Sequence, residues 1–281
     1  MKNEEFATAK MKNEEFATAK MKNEEFATAH PTAQADSSFF ILHSSFAKYL
    51  AKHGFEAFRP KAVLFDMDGV LYDSMPNHAV AWQKSMKEFG IVMSRADAYA
   101  TEGQRGVDTI RQMVLAQKGH DIGEAEAQEM YNLKTKYFHE MDEPPMMPGA
   151  LQLMEQIHHC GMAIGVVTGS GQRPLIARLM KDYGQYLSVG HIVTAYDVKR
   201  GKPHPDPYLE GMVRLGNLNS WNTIVVENAP LGVEAAVAAR AFTICVNSGQ
   251  LPTHLFEERS ADLIFDSMWQ LNEQWKMLGW S

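Results

Sequence analysis

Two aspartates separated by one residue follow a short apolar run in the segment KAVLFDMDGVLYDS, residues 61–74. The apolar run Ala62–Phe65 predicts a buried strand. Because side chains alternate along a strand, Asp66 and Asp68 are expected on one side, and Gly69 permits a sharp turn after them. Carboxylates crowded together repel each other unless a cation lies between them, and oxygen ligands of this kind suit Mg²⁺. The segment therefore predicts a magnesium site.

The same residues allow two simpler interpretations, an ordinary acidic turn or half of a calcium-binding loop. A calcium loop has glycine at its sixth position and glutamate at its twelfth, but the twelfth residue counted from Asp66 is Asn77. The acidic turn remains as the alternative.

Three further predicted strands end in residues suited to phosphate chemistry: a hydroxyl-rich turn, a lysine in a proline-rich loop, and an acid–amide pair. These are Thr168–Gly171 after the strand Met162–Val167, Lys202 after the strand His191–Ala195, and Glu227–Asn228 after the strand Thr223–Val226. Alternating strands and helices predict an α/β fold with a doubly wound parallel sheet, whose site lies at the carboxyl ends of the strands. A metal site, a nucleophile, an anion cradle and a neutralising cation together are what phosphoryl transfer requires.

A long helical block interrupts this alternation directly after the first strand. Its periodicity predicts four helices, at Asn77–Phe89, Ser94–Thr101, Val107–Gln117 and Glu124–Met141. We therefore expect an inserted α-helical cap domain over residues 75–145 and a core domain over residues 61–74 and 146–281. Asp206 is predicted to cap the core helix that begins at Pro207 or Tyr208.

The first sixty residues form an N-terminal extension in which a ten-residue unit occurs three times, MKNEEFATAK twice and then MKNEEFATAH. Each copy has a single phenylalanine, which is too little apolar surface to bury, so residues 1–60 are expected to be partly disordered. Residues 37–59 have apolar side chains near helical spacing and could dock on the core or on a partner.

The composition narrows the class of protein. The chain has 281 residues, 45% of them apolar, and a net charge of −7, which argues against a nucleic-acid-binding surface. Cys160 and Cys245 match no metal-site spacing, and no apolar run approaches a membrane span. We expect a cytoplasmic protein, a monomer or weak oligomer, that binds no nucleic acid and no membrane.

The motifs DMDGV, VVTGS, GKPHPDPY and VVENAPLGVEAA, in this order, resemble the four motifs of the haloacid dehalogenase superfamily of phosphotransferases. The helical insertion resembles the cap of the β-phosphoglucomutase-like branch. The resemblance covers the chain from Lys61 onward. It implies a Rossmann-like core and a Mg²⁺-dependent reaction through an aspartyl phosphate.

The resemblance also implies roles for individual residues. Asp66 is the expected nucleophile and Asp68 the general acid and base. Thr168 would hold the transferring phosphoryl group, and Lys202 would neutralise charge on it. The expected Mg²⁺ ligands are Asp66, Asp68, Asn228, Glu102 and, directly or from nearby, Glu227. The other expected substrate-binding residues are Gly169, Ser170, Arg105 and His78. Glu102 is expected to bind both the metal and the substrate.

Two departures from the family pattern bear on the substrate. Asn228 stands where the last motif usually has an acid, so the core alone should hold Mg²⁺ less tightly. β-Phosphoglucomutases clamp a distal phosphate with a cap lysine and arginine, but those positions are Glu102 and Gly106 here, with Arg105 one residue away. An acid on the cap could instead reach the same Mg²⁺ on closure.

These departures resemble those of an inorganic pyrophosphatase within the branch, so the favoured substrate is pyrophosphate. The alternatives are a sugar-phosphate phosphatase or a β-phosphoglucomutase-like hexose-phosphate mutase. A non-catalytic binding protein on this scaffold would require loss of the nucleophile or the lysine, and both are present.

Overall fold

The computed structural model describes residues 44–170 and 173–279. The predictions for the three repeats and for residues 37–43 lie outside the described residues. Among the helices in the described ranges, none combines the length and the apolar character that crossing a membrane would require.

Six parallel strands form one sheet in the order β3-β2-β1-β4-β5-β6. Their bounds are β1 Ala62–Phe65, β2 Ala163–Val167, β3 Ile192–Val193, β4 Thr223–Glu227, β5 Phe242–Val246 and β6 Leu263–Phe265. Phe65 at the end of β1 pairs with Val166 of β2 and with Val226 of β4. This register brings the carboxyl ends of the three central strands to one level, and the predicted α/β doubly wound fold is confirmed.

Helices flank the sheet and form the insertion. They are α1 (residues 44–53), α2 Met75–Glu88, α3 Arg95–Ala100, α4 Gly106–Lys118, α5 Glu124–His139, α6 Ala150–His159, α7 Arg173–Tyr183, α8 Asp206–Arg214, α9 Pro230–Ala238, α10 His254–Glu257 and α11 Met268–Gln274. All four helices predicted in the insertion begin and end within two residues of the observed bounds, and α5 ends two residues earlier than predicted.

The helices α2 to α5 share an apolar cluster of their own. In α2, Ala79, Trp82 and Met86 are buried at helical spacing and face α5. A capping box between Ser94 and Asp97 fixes the start of α3. The cluster gives the insertion an internal core distinct from the one on the sheet.

The helix α1 packs against the sheet near the amino-terminal ends of β4 and β5. Tyr49 is fully buried there, and its hydroxyl donates to the carbonyl oxygens of Arg240 at 2.8 Å and Ser220 at 3.2 Å. Phe46 stacks beside Phe242 of β5, with ring centroids 5.0 Å apart. The described part of the extension is therefore joined to the sheet by aromatic packing.

Two local predictions were wrong. β3 was predicted to reach Ala195, but Asp197 accepts hydrogen bonds from the amide and hydroxyl of Thr194 at 2.7 and 2.6 Å, which turns the chain away. Asp206 does not cap α8: it is the first residue of that helix, and its carboxylate pairs with Arg200.

Candidate active site

A buried lysine lies between two carboxylates at the carboxyl ends of β1 and β4. Lys202 Nζ is 2.5 Å from Asp66 Oδ1 and 2.6 Å from Glu227 Oε1, and it also donates to the Val167 carbonyl oxygen at 3.3 Å. Burial opposes the charge of Lys202, but the two carboxylates outweigh it and raise its pKa. The lysine therefore stays protonated. Its contacts connect the loop that contains it to the ends of three strands.

Burial raises the pKa of Asp66 well above its ordinary value, because Lys202 only partly offsets the loss of water and the neighbouring acids Glu227 and Asp68. Two carboxylates, Asp66 and Glu227, thus share one lysine, and Asp68 adds further negative charge near Asp66. A further cation beside Asp66 would favour its ionised form.

Glu227 is engaged on both oxygens by the protein. Oε1 accepts from Lys202 and from the Tyr208 hydroxyl at 2.6 Å, and Oε2 accepts from the amides of Asn228 at 2.9 Å and Ala229 at 3.2 Å. Gly232 provides the room, since a Cβ built there would lie 1.8 Å from Oε1. The structure thus directs Glu227 to Lys202 rather than toward an open site.

Asp68 faces the insertion and belongs to a second network. Its Oδ1 accepts from the Ser74 hydroxyl at 2.6 Å and lies 3.1 Å from His78 Nε2. Lys134 Nζ is 2.6 Å from the other ring nitrogen of His78. Because an ammonium group can only donate, Nδ1 accepts from Lys134, and Nε2 carries the proton that points to Asp68. Burial alone would raise the pKa of Asp68, but His78 and Ser74 outweigh it and lower the pKa.

Lys134 is a site residue that the sequence reasoning missed. It is 4% exposed, and its ammonium lies 5.0 Å from the ring centroid of Trp82 and 5.3 Å from that of Phe138. Burial lowers the pKa of Lys134 to about 8, against the opposing effect of Glu102 and Asp68. A signal was present, because Lys134 falls on the apolar stripe of α5, four residues after Met130.

The predicted anion cradle lies at the end of β2. Thr168 is 6% exposed, its amide donates to the Val193 carbonyl oxygen at 2.9 Å, and its hydroxyl accepts from the Ser170 amide at 3.0 Å. A Cβ on Gly169 would lie 3.1 Å from the Gly103 carbonyl oxygen, so the insertion closes directly over this turn. The lack of a side chain at Gly169 permits that approach.

A cavity of about 40 Å³ lies between the insertion and the strand ends. Asp68, His78, Glu102, Gly169 and Ser170 line it, so five of the predicted residues meet at one place. Burial raises the pKa of Glu102, and the acid Asp68 adds to that effect, while His78 and Lys134 oppose it. Glu102 thus presents a carboxyl group to the same space as Asp68.

The residues fit a divalent cation. Asn228 Oδ1 is buried and has no hydrogen-bond partner within residues 44–170 and 173–279, so it offers an unused oxygen close to Asp66 and Asp68 along the strand ends. The amide nitrogen faces Gly69, where a Cβ would lie 2.0 Å from it. Among the described residues no group of three or more His, Cys, Asp or Glu is gathered as a metal site. An amide takes one of the expected ligand positions here, and Glu227 is directed to Lys202.

The structure does not bring Arg105 into the cavity, and this prediction needs correction. Its guanidinium pairs with Asp108 at 2.8 and 3.0 Å in the first turn of α4 and lies 3.9 Å from Glu124. Gly106 does line the cavity, but Tyr131 occupies the space a side chain would need, since a Cβ there would lie 2.0 Å from the ring. Neither position can present a cation to a distal phosphate in this arrangement.

The chain is similar to known proteins over most of its length. The profile of the family described as "Haloacid dehalogenase-like hydrolase" matches residues 63–246. Hexitol phosphatase A of Escherichia coli (strain K12) is 32% identical over 213 residues, which are 76% of this chain and 94% of that protein. Beta-phosphoglucomutase of Bacillus subtilis (strain 168) is 25% identical over 223 residues, 77% of this chain and 96% of that protein.

A solved structure from Bacteroides vulgatus, provisionally described as a beta-phosphoglucomutase, is similar over 85% of this chain and 96% of its own, with a TM-score of 0.81 and 43% identity. The chain therefore belongs to the haloacid dehalogenase-like hydrolase family.

Proposed function

We propose that this protein is a Mg²⁺-dependent phosphohydrolase that acts through a phosphorylated Asp66, with inorganic pyrophosphate as its favoured substrate. The observation that carries the proposal is the small cavity that Glu102 borders, because the mutase pattern has a lysine at that cap position. Glu102 and Asp68 border it together with Lys134 of α5, whereas Arg105 pairs with Asp108 and does not line it.

The size of the cavity supports a compact anion. At about 40 Å³ the cavity has room for only a small group in the closed arrangement. The aromatic rings of Tyr131 and Trp82 line the cap side of this cavity. A hexose phosphate would require the cap to stay further open.

The chemistry of Asp68 points the same way. Its interactions with His78 and Ser74 lower its pKa, so a smaller fraction of Asp68 carries a proton to donate at neutral pH. An alkoxide leaving group must receive a proton as it departs, whereas phosphate is a good leaving group that depends less on proton donation. A lowered pKa at this position therefore suits pyrophosphate better than a sugar ester.

The proposed reaction has two steps. In the first, a carboxylate oxygen of Asp66 attacks one phosphorus, the bridging P–O bond breaks, and Asp68 gives its proton to the bridging oxygen of the departing phosphate. In the second, Asp68 takes a proton from a water molecule whose oxygen attacks the phosphoryl-Asp66, and phosphate and free Asp66 are released. Lys202 and the Thr168 turn bind the non-bridging oxygens throughout.

Mg²⁺ would be held by the Asp66 carboxylate, the Asp68 carbonyl oxygen and Asn228 Oδ1, with Glu102 joining from the cap. When bound, it supplies positive charge that offsets the negative charge gathering on the transferring phosphoryl group. Glu227 orients Lys202, because its two oxygens are already engaged by the protein.

A sugar- or polyol-phosphate phosphatase is the second candidate. It is favoured by the match to hexitol phosphatase A, which extends over 94% of that protein and includes both cap and core. The chemistry at Asp66, Asp68, Thr168 and Lys202 would be the same, and only the leaving group would differ.

A phosphate-release screen tests the proposal. Pyrophosphate, hexose and hexitol phosphates and glycerol phosphates are assayed at matched concentrations with Mg²⁺ and with a chelator. We expect the highest kcat/KM for pyrophosphate and no release without Mg²⁺, and the Asp66→Asn protein serves as the matched inactive control. A higher kcat/KM for a polyol phosphate would contradict pyrophosphate, and full activity in the chelator would contradict the metal requirement.

A further inference from the structure

A loop of the core contacts the cap beside Tyr99. It comprises residues 247–251, which follow β5, and Leu251 packs against the apolar cluster of the cap. Gly249 of this loop lies against the ring of Tyr99 in α3: a Cβ built on Gly249 would be 2.6 Å from Cδ1 and 2.9 Å from Cε1. We call this contact the Tyr99 seat.

The core side of the Tyr99 seat is rigid. The Asn247 side chain donates to the Leu251 carbonyl oxygen at 2.7 Å and accepts from the Leu251 amide at 2.9 Å, which closes the loop on itself. The Ser248 hydroxyl donates to the Gly69 carbonyl oxygen at 2.7 Å. The loop is thereby tied to the turn that follows Asp68, so it cannot shift without disturbing that turn.

The cap side is equally constrained. Tyr99 is 5% exposed, and its hydroxyl accepts from Arg95 at 3.0 Å. The Glu102 amide donates to the Tyr99 carbonyl oxygen at 3.4 Å, and the Thr101 hydroxyl donates to the Asp97 carbonyl oxygen at 2.9 Å. Because Tyr99 and Glu102 belong to one hydrogen-bonded turn, a displacement of the ring is passed to the carboxyl group.

We propose that the Tyr99 seat sets how closely the cap approaches the core and so places Glu102 over the site; Gly249 and Tyr99 are positioning residues. The proposal rests on the proposed function, because it assigns Glu102 to the closed metal site. Only glycine at 249 allows the full approach, since any larger residue meets the ring before Glu102 arrives.

Gly249→Ala is a clean perturbation, because Gly249 does not have a positive φ and alanine adds only the clashing methyl group. We expect kcat/KM for pyrophosphate to fall at least tenfold and the Mg²⁺ concentration for half-maximal activity to rise at least threefold. Hydrogen exchange of residues 95–105, followed in the presence of Mg²⁺ and fluoroaluminate, should become faster. Gly123→Ala is the matched control, because φ there is −67° and a Cβ would meet no atom within 4 Å.

Removal of the ring supplies the decisive second variant. Tyr99→Leu introduced into Gly249→Ala relieves the clash, so it should recover part of the Mg²⁺ response and slow the exchange of residues 95–105 again. If the two substitutions are additive, or if Gly249→Ala matches Gly123→Ala, the seat is refuted. Should the wild-type protein hydrolyse an aryl phosphate but not pyrophosphate, the proposed substrate fails, and the exchange of residues 95–105 alone then decides on the seat.

Discussion

Replacement of Glu102 by alanine tests whether the carboxylate of Glu102 completes a metal site or only faces solvent. Glu102 borders the same cavity as Asp68, and burial raises its pKa although His78 and Lys134 oppose that effect. We expect Glu102→Ala to raise the Mg²⁺ requirement and to reduce pyrophosphate hydrolysis strongly. Larger monoesters, whose hydrolysis needs less complete closure, should lose less.

The magnitude follows from the charges. Two unit charges 4 Å apart at an effective dielectric constant of 20 interact by about 4 kcal/mol, and a carboxylate on a divalent cation is at least that close. Part of this energy is already present before the transition state, so about 3 kcal/mol or more should be lost, which is roughly a hundredfold or more in kcat/KM. Glu102→Gln keeps the shape and one oxygen, and it should fall between wild type and Glu102→Ala.

The assay is phosphate release under Mg²⁺ titration, together with calorimetric Mg²⁺ binding to the same proteins. Asn228→Asp in the Glu102→Ala background should recover part of the Mg²⁺ affinity, because it returns a negative charge from the core side at an oxygen that has no other partner. An unmoved Mg²⁺ titration in Glu102→Ala would refute the role of the cap carboxylate and remove the main support for pyrophosphate.

Three other outcomes are expected. Asp66→Asn should abolish turnover and trapping by beryllofluoride while the circular dichroism spectrum stays unchanged, because only the attacking charge is removed. Burial lowers the pKa of Lys134 from 10.5 to about 8. Between those values the unfolded chain binds more protons than the folded one, so stability should rise with pH by up to about 3 kcal/mol, and denaturant midpoints of Lys134→Met should lack this rise. Deletion of residues 1–30, whose repeats hold one phenylalanine each, should leave catalytic constants within about twofold in a steady-state assay.

The strand ends could be predicted because each is specified locally. The apolar run before Asp66 can only be a buried strand, and in a parallel sheet its carboxyl end must meet those of its neighbours. The bonds from Lys202 to Asp66 and Glu227 follow from that topology once the motifs are recognised.

The contacts that the cap residues make around the site could not be predicted in the same way. Lys134 is 56 residues from His78, and only the packing of α2 on α5 brings the two together. Arg105 was assigned from its position beside Gly106, but its orientation is decided by a carboxylate one helical turn away, Asp108. Pair distances of this kind depend on helix rotation, which hydrophobic periodicity fixes only approximately.

In the proposed metal site, the positions of Asn228 and Glu102 link metal binding to closure. With an amide in place of an acid on the core, the open protein offers a cation one negative charge fewer, and the missing charge is carried on the cap. Full metal affinity should therefore require the closed state, in which the cavity near Asp68 has room for only a small ligand. A bulky ester that holds the cap open would be bound beside an incomplete metal site and would be hydrolysed slowly. The enzyme would then select substrates by size without contacting the leaving group of a rejected one. Only a substrate small enough to permit closure would be held in a complete metal site and cleaved.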